Sequence, residues 1–184
     1  MKNRVITISR EFGSGGRTIG RMVAQKLGIP CYDAESIQKI ALETGFNETY
    51  IQEAGEYTPG SFLSNVFSNR SYGPTNEDYL WKVQYQIIIE LAEKGAYILK
   101  DTANCLKVFI HADMAFRAKR IVEVYGERDI SPEQRLKDKD KRRAAYHRFY
   151  TNMKWGQSQN YHLTLDSGVL GSDRCADIIA SLYE

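Results

Sequence analysis

Cysteine is scarce in this chain. Cys31, Cys105 and Cys175 are the whole supply, an odd number, far apart and without CxxC spacing. That excludes a disulfide framework or a zinc ribbon and fits thiols kept reduced in the cytoplasm. An excess of either charge is missing too: 25 Lys and Arg face 23 Asp and Glu, net +2. Bulk charge therefore does not argue for nucleic acid or for a membrane surface as partner. His111, His147 and His162 are the only histidines, and their spacing does not make a metal site. No apolar run is long enough to span a bilayer, and the opening MKNRVITISRE turns polar too soon for a signal peptide. A secreted, membrane or fibrous protein is not expected. Nothing in the sequence sets an oligomeric state.

What is present is the mixture of a globular domain. The chain has 184 residues, 42% hydrophobic and 26% charged, enough to bury a core in one domain with a small insert. Val5 to Ser9 (VITIS) reads as a buried strand, and Gly13-Ser14-Gly15-Gly16 as a tight turn. Thr18 to Leu27 has Ile19, Met22, Val23 and Leu27 on one helical face, with Gly28 and Pro30 to stop it. Ile29 to Tyr32 reads as a second short strand ending at Asp33. Strand, glycine turn, helix, strand is the pattern of a parallel α/β sheet. Further on, the sequence predicts helices over Ala34–Gly45 and Asp78–Lys94, with an irregular flap over Asn47–Asn76 between them. Beyond these it predicts a strand over Leu106–His111 and a helix over Asp113–Tyr125. A helix opened by Ser131 as N-cap and Pro132 runs to about Met153. A strand over His162–Leu165 and a helix over Asp173–Tyr183 close the chain.

The glycine turn carries the first functional signal. Tight glycines between a strand and a helix let backbone N–H groups converge, and the helix N-terminus adds partial positive charge, which together suit phosphate. The alternative is an ordinary strand-to-helix turn. The usual signature GxxxxGK[ST] puts a Lys after the last loop glycine. Here that position is Gly16, and Arg17 follows as a candidate replacement cation, or else as a solvated first-turn residue. Downstream, Arg135 to Arg148 is a basic run in which Lys139, Arg142 and Arg143 stand at i, i+3 and i+4 on one helical face. Alone it reads as a solvated charged face; with the loop upstream it reads as a clamp for a triphosphate. Arg10, just before the turn, is placed to fold back on the phosphates.

The string ITISREFGSGGRTIG (Ile6 to Gly20), with LGIPCYD, NCLKVFIHAD, DKDKRRAAYHRFYTNMKWG and NYHLTLDS, resembles the cytidylate kinase-like family of P-loop proteins over nearly the whole chain. The family shares the missing Lys. The resemblance implies a P-loop NTPase-like parallel β-sheet flanked by helices. It implies a helical acceptor-binding insert over about 36–76, an Arg/Lys-rich lid over about 131–156, and a core of about 1–35, 77–130 and 157–184. It implies ATP and Mg²⁺ as cofactors, small nucleotides as partners, and γ-phosphoryl transfer to CMP, dCMP or another small acceptor. Gly13, Ser14, Gly15, Gly16, Arg17 and Thr18 would hold ATP, and Arg17, Lys139, Arg142 and Arg143 would serve the transferring phosphoryl. Asp33, Lys39 and Arg10 would face the acceptor, though Lys39 reads equally as a surface lysine. Against the family pattern, about ten residues, a strand and its turn, are missing near Gly95 and Ala96. Residues omitted from the sequence would explain this, and an intact mass of 21.1 kDa would contradict it. Two other classes stay open: a non-catalytic nucleotide-binding module, and a nucleic-acid binder using the basic helix. The near-zero net charge and the glycine turn disfavour the second.

Overall fold

The computed structural model describes residues 5–33 and 105–183. Two compact units divide the chain: residues 1–31 with 97–184, and residues 32–96. The expected helices Ala34–Gly45 and Asp78–Lys94, the Asn47–Asn76 flap, Lys39 and the Gly95–Ala96 junction lie outside the described residues.

In the first unit, β1 (Val5–Arg10) leads into α1 (Gly16–Leu27), and β2 (Cys105–His111) into α2 (Met114–Tyr125). Then come α3 (Pro132–Thr151), β3 (Leu163–Asp166) and α4 (Ser167–Ser181). The strands form a parallel sheet in the order β1-β2-β3, with Arg10 opposite Ile110 and His111 opposite Asp166. Among the described residues this is an α/β fold, a three-stranded parallel sheet flanked by helices. All three strands run the same way, so Arg10, His111 and Asp166 end at one edge, where ligands of open parallel sheets bind.

The larger described core cluster lies on one face of the sheet. Val108 and Ile110 of β2 and Leu165 of β3 pack with Ile19 and Val23 of α1 and with Cys175, Ala176 and Ile179 of α4. The i, i+4 spacing of Ile19 and Val23 brings both onto the buried stripe of α1. A smaller cluster joins Ala118 and Ile121 of α2 to Leu136 of α3. Ser131 caps α3 as the sequence predicts, and Asp113, expected as the first residue of its helix, is instead the cap of α2. Asp113 Oδ1 accepts from the Phe116 amide at 2.8 Å, and Ser131 Oγ from the Gln134 amide at 3.3 Å.

One expectation is corrected and one is extended. Ile29–Tyr32 is not a strand: the Ile29 amide donates to Ala24 O at 3.0 Å, closing the end of α1 over left-handed Gly28. A ladder needs that amide for itself. Cys31 and Tyr32 are exposed, so Asp33 does not follow a buried strand. A short helical turn opens at Ser167, where the Asp166 carboxylate accepts from the amides of Gly168 and Val169, and the expected last helix follows it. Gly171, at φ 77°, separates the two.

Candidate functional site

The glycine turn follows directly from β1. The Glu11 amide continues the ladder to Ile110 O at 3.0 Å, and the chain then bends through Gly13 (φ 82°) and Gly15 (φ 77°). That left-handed region strains any side chain. A methyl group at Gly13 would also lie 2.9 Å from Ile121 Cγ2 and 3.0 Å from Arg117 O, so α2 packs directly against the turn. Ser14 is buried and its hydroxyl donates to Glu11 O at 2.9 Å. The buried Ser167 hydroxyl lies 2.6 Å from Ser14 O and 3.0 Å from His111 O, tying the turn to the end of β2. Gly15 is the N-cap of α1 and, as glycine, offers no side chain to the amides of that first turn. A rigid bend that aims a helix N-terminus outward can take an anion.

Cations gather around it. A methyl group at Gly16 would fall 2.7 Å from Arg10 Cδ and 2.8 Å from Arg10 Cβ, so the stem of Arg10 crosses directly over Gly16. Arg143 Nη1 donates to Arg10 O at 2.9 Å, and its guanidinium stands 5.5 Å from the centre of the Phe12 ring. Burial first, and then the charge of Arg10, push the Arg143 guanidinium down to about 10. Lys139, exposed overall, has its ammonium pushed below the lysine range by partial desolvation and by Arg142, Arg143 and Arg128. Like charges at this density favour an anionic occupant. Arg17 is the second residue of α1, and Thr18 is exposed beside it.

The structure therefore brings Arg10, Gly13 to Thr18 and Arg143 to the turn, and sets Lys139 and Arg142 near Arg143. Asp33 belongs to the other unit, as does Lys39. Four residues escaped the sequence reading. Arg120 of α2 donates from Nη2 to Thr18 Oγ1 at 3.1 Å, and its Nε would lie 3.2 Å from a methyl group at Gly15. Arg117, one turn earlier, is buried. Its Nη1 reaches Asp140 Oδ2 at 2.6 Å, while its Nε, 3.4 Å from Glu11 Oε2, makes a charge contact outside hydrogen-bond geometry. Asp140 Oδ1 also accepts from the Phe12 amide at 2.7 Å, so one carboxylate joins α2, α3 and the turn. The signal for Arg117 and Arg120 was available: they stand three apart on the helix that leaves the strand end.

A cavity of about 510 Å³ opens beside Glu11, walled by Phe109 and Trp155 and rimmed by His111, Asp113 and Asp166. Each of its three carboxylates already holds a backbone amide: Glu11 that of Ala112, Asp113 that of Phe116, Asp166 that of Gly168. Its acid lining repels phosphate and so leaves phosphate to the turn. Among the described residues no group of three His, Cys, Asp or Glu could hold a metal ion.

The description of the cytidylate kinase-like family matches residues 5–169 of this chain. The chain belongs to the cytidylate kinase-like family. A cytidylate kinase of Archaeoglobus fulgidus is 27% identical over 183 residues, which cover 97% of this chain and 94% of that protein. A crystal structure of an uncharacterized protein from Eubacterium ventriosum matches with a TM-score of 0.72 at 25% identity, over 99% of this chain and 98% of that one. Membership in the cytidylate kinase-like family supports a nucleotide-kinase-like phosphotransferase that acts on small nucleotides, and implies ATP and Mg²⁺ in general. No described helix is long and apolar enough to cross a membrane.

Proposed function

We propose that this chain moves the γ-phosphoryl of ATP to a nucleoside monophosphate, CMP or dCMP before others, or to another small acceptor. One observation carries the reading: the glycine turn at the end of β1 is ringed by Arg10, Arg120 and Arg143. Gly13 to Thr18 hold the polyphosphate by main-chain amides and the Thr18 hydroxyl. Arg17, Lys139, Arg142 and Arg143 cover the oxygens on which charge builds. Asp33 and Lys39 serve the acceptor. Closure of the Asn47–Asn76 flap and the Arg135–Arg148 lid would expel water that would otherwise hydrolyse ATP. Since Leu136 is buried and Asp140 is bonded to the turn, lid closure falls mainly to the side chains of α3.

In the transfer, an oxygen of the acceptor phosphate forms the new bond to the γ-phosphorus as its bond to the β-bridging oxygen breaks, and ADP leaves. A phosphate monoester is already ionised at neutral pH, so no general base is required. The work lies in alignment and in charge on the equatorial oxygens, where forked guanidinium groups bond two oxygens at once. Mg²⁺ fits the donors present, because it keeps water ligands and takes its others from phosphates. The exposed Thr18 hydroxyl is the protein oxygen that would join them, and the ion would neutralise phosphate charge.

The test is ADP release with a panel of nucleoside monophosphates, CMP and dCMP first. Turnover that depends on the acceptor is expected. ATP binding without turnover on any acceptor would replace this reading by that of a non-catalytic nucleotide-binding module.

A further inference from the structure

In the usual phosphate loop, a Lys that follows the last loop glycine reaches the outer phosphates. Here the Lys position is Gly16, and the residue that ends β1 is Arg10. The two are physically coupled. A Cβ at position 16 would come within 2.7–2.8 Å of Arg10 Cδ and Cβ, closer than real side chains approach, and within 3.3 Å of Arg10 Cγ. Gly16 is itself buried, covered by that stem. The stem has no such relation to the open glycines: Gly28 and Gly126 have nothing within 4 Å of the same virtual methyl group.

We propose that positions 10 and 16 have exchanged roles: Arg10, from the strand side, supplies the cation that a loop lysine would supply from the helix side, and Gly16 is glycine because the Arg10 stem occupies its space. This rests on the reading of the turn as a polyphosphate site. It assigns the lysine's part to Arg10, with Arg17 as an accessory contact one residue beyond the vacated position. The carbonyl of Arg10 is held by Arg143, so the second cation is positioned through the backbone of the first. The exchange accounts for the loss of the loop Lys without loss of charge at the site.

Four variants test it: Gly16→Lys, Arg10→Gln, Arg10→Ala and Arg10→Ala/Gly16→Lys. Arg10→Gln keeps much of the stem and removes only the charge. Each is titrated by calorimetry with MgATP and with inorganic tripolyphosphate, and its Tm is measured. Gly16→Lys alone is expected to lose about 3–10 °C in Tm, the range for an overpacked site in a chain of this length. Removing the Arg10 stem in the double variant should return most of that loss. Arg10→Gln should weaken both ligands by about 10- to 100-fold, the weight of a charge-assisted contact, and by more than Arg17→Ala does. The double variant should bind more tightly than Arg10→Ala.

Equal binding of MgATP by the parent and Arg10→Gln would overturn the exchange and leave the nucleotide reading intact. So would a Tm cost at Gly16→Lys that the double variant does not relieve. Tripolyphosphate binding that needs Arg10, in a parent that ignores MgATP, would uphold the exchange and overturn the nucleotide reading. A parent that binds neither ligand overturns both.

Discussion

At Arg143 burial and charge conflict. Burial and the neighbouring Arg10 hold its guanidinium down to about 10, below the ordinary arginine range. A base with a depressed folded-state pKa costs stability as long as it stays charged. The cost is therefore complete below about pH 10 and fades only as the pH climbs from there into the ordinary arginine range. At neutral pH Asp140 offsets part of it, and a bound counter-anion would offset more. Tripolyphosphate at a hundredfold its Kd should add about 2.7 kcal/mol, a rise of about 5–10 °C in Tm for a chain of this length. The rise should shrink with added salt and be smaller in Arg143→Gln; a rise of the same size in that variant would contradict the role given to Arg143. Asp140 presents the opposite case. It pairs a guanidinium that is 5% exposed and also takes the Phe12 amide, so its loss strands a buried charge. Asp140→Ala should cost about 3–5 kcal/mol by urea denaturation. Asp138→Ala, which loses only an exposed bond from Gln134, should cost within about 0.5 kcal/mol. Similar losses in the two variants would contradict the geometry. The sequence offered Asp140 only as one acid in a basic run; its weight comes from Arg117, 23 positions away, which no local pattern links to it.

Helix α3 shows which parts of an element can be read in advance. Its start was legible, because Ser131 and Pro132 fix it locally. Its inward face was not. Of the side chains described in α3, Leu136 alone is buried. Leu136, Asp140 and Arg143, at i, i+4 and i+7, are what bind the helix to α2 and to the turn. That face is one hydrophobe, one acid and one base, so no apolar stripe announces it. Leu136→Ala should cost about 2–5 kcal/mol and should also weaken polyphosphate binding, since Asp140 and Arg143 lie on the same face. A loss below about 1 kcal/mol would mean that α3 is held elsewhere. Where an element's end depends on tertiary partners the sequence misled: Ile29 to Tyr32 has strand-like residues, but the Ile29 amide serves the end of α1. At Asp166 the sequence left out a short turn, which that carboxylate caps ahead of the break at Gly171, while the expected helix follows the break. Lys26, in the last turn of α1, meets Asp177 of α4 at 2.8 Å and has its ammonium pushed up by that bond. This small tie between the two helices is complete at neutral pH and is lost as the pH rises through the raised lysine pKa.

For the molecule as a whole, the alternation of strand, glycine turn and helix made the α/β class legible. The string SREFGSGGR made the family legible, and residues 5–169 bear it out. The turn's cations were legible only in part. Lys139, Arg142 and Arg143 announce themselves by spacing, whereas Arg120 arrives from α2 and meets Thr18, 102 positions away, only through the fold. The charges are divided in a way that composition conceals. A net charge of +2 resolves into a basic turn beside an acid-rimmed cavity at the same edge of the sheet. A phosphate chain is drawn to the first and kept from the second. Titrating MgATP into the chain by calorimetry tests this account most directly. Saturable heat at a single site, weakened by salt and accompanied by a higher Tm, is the predicted result; no heat together with no thermal shift would contradict it.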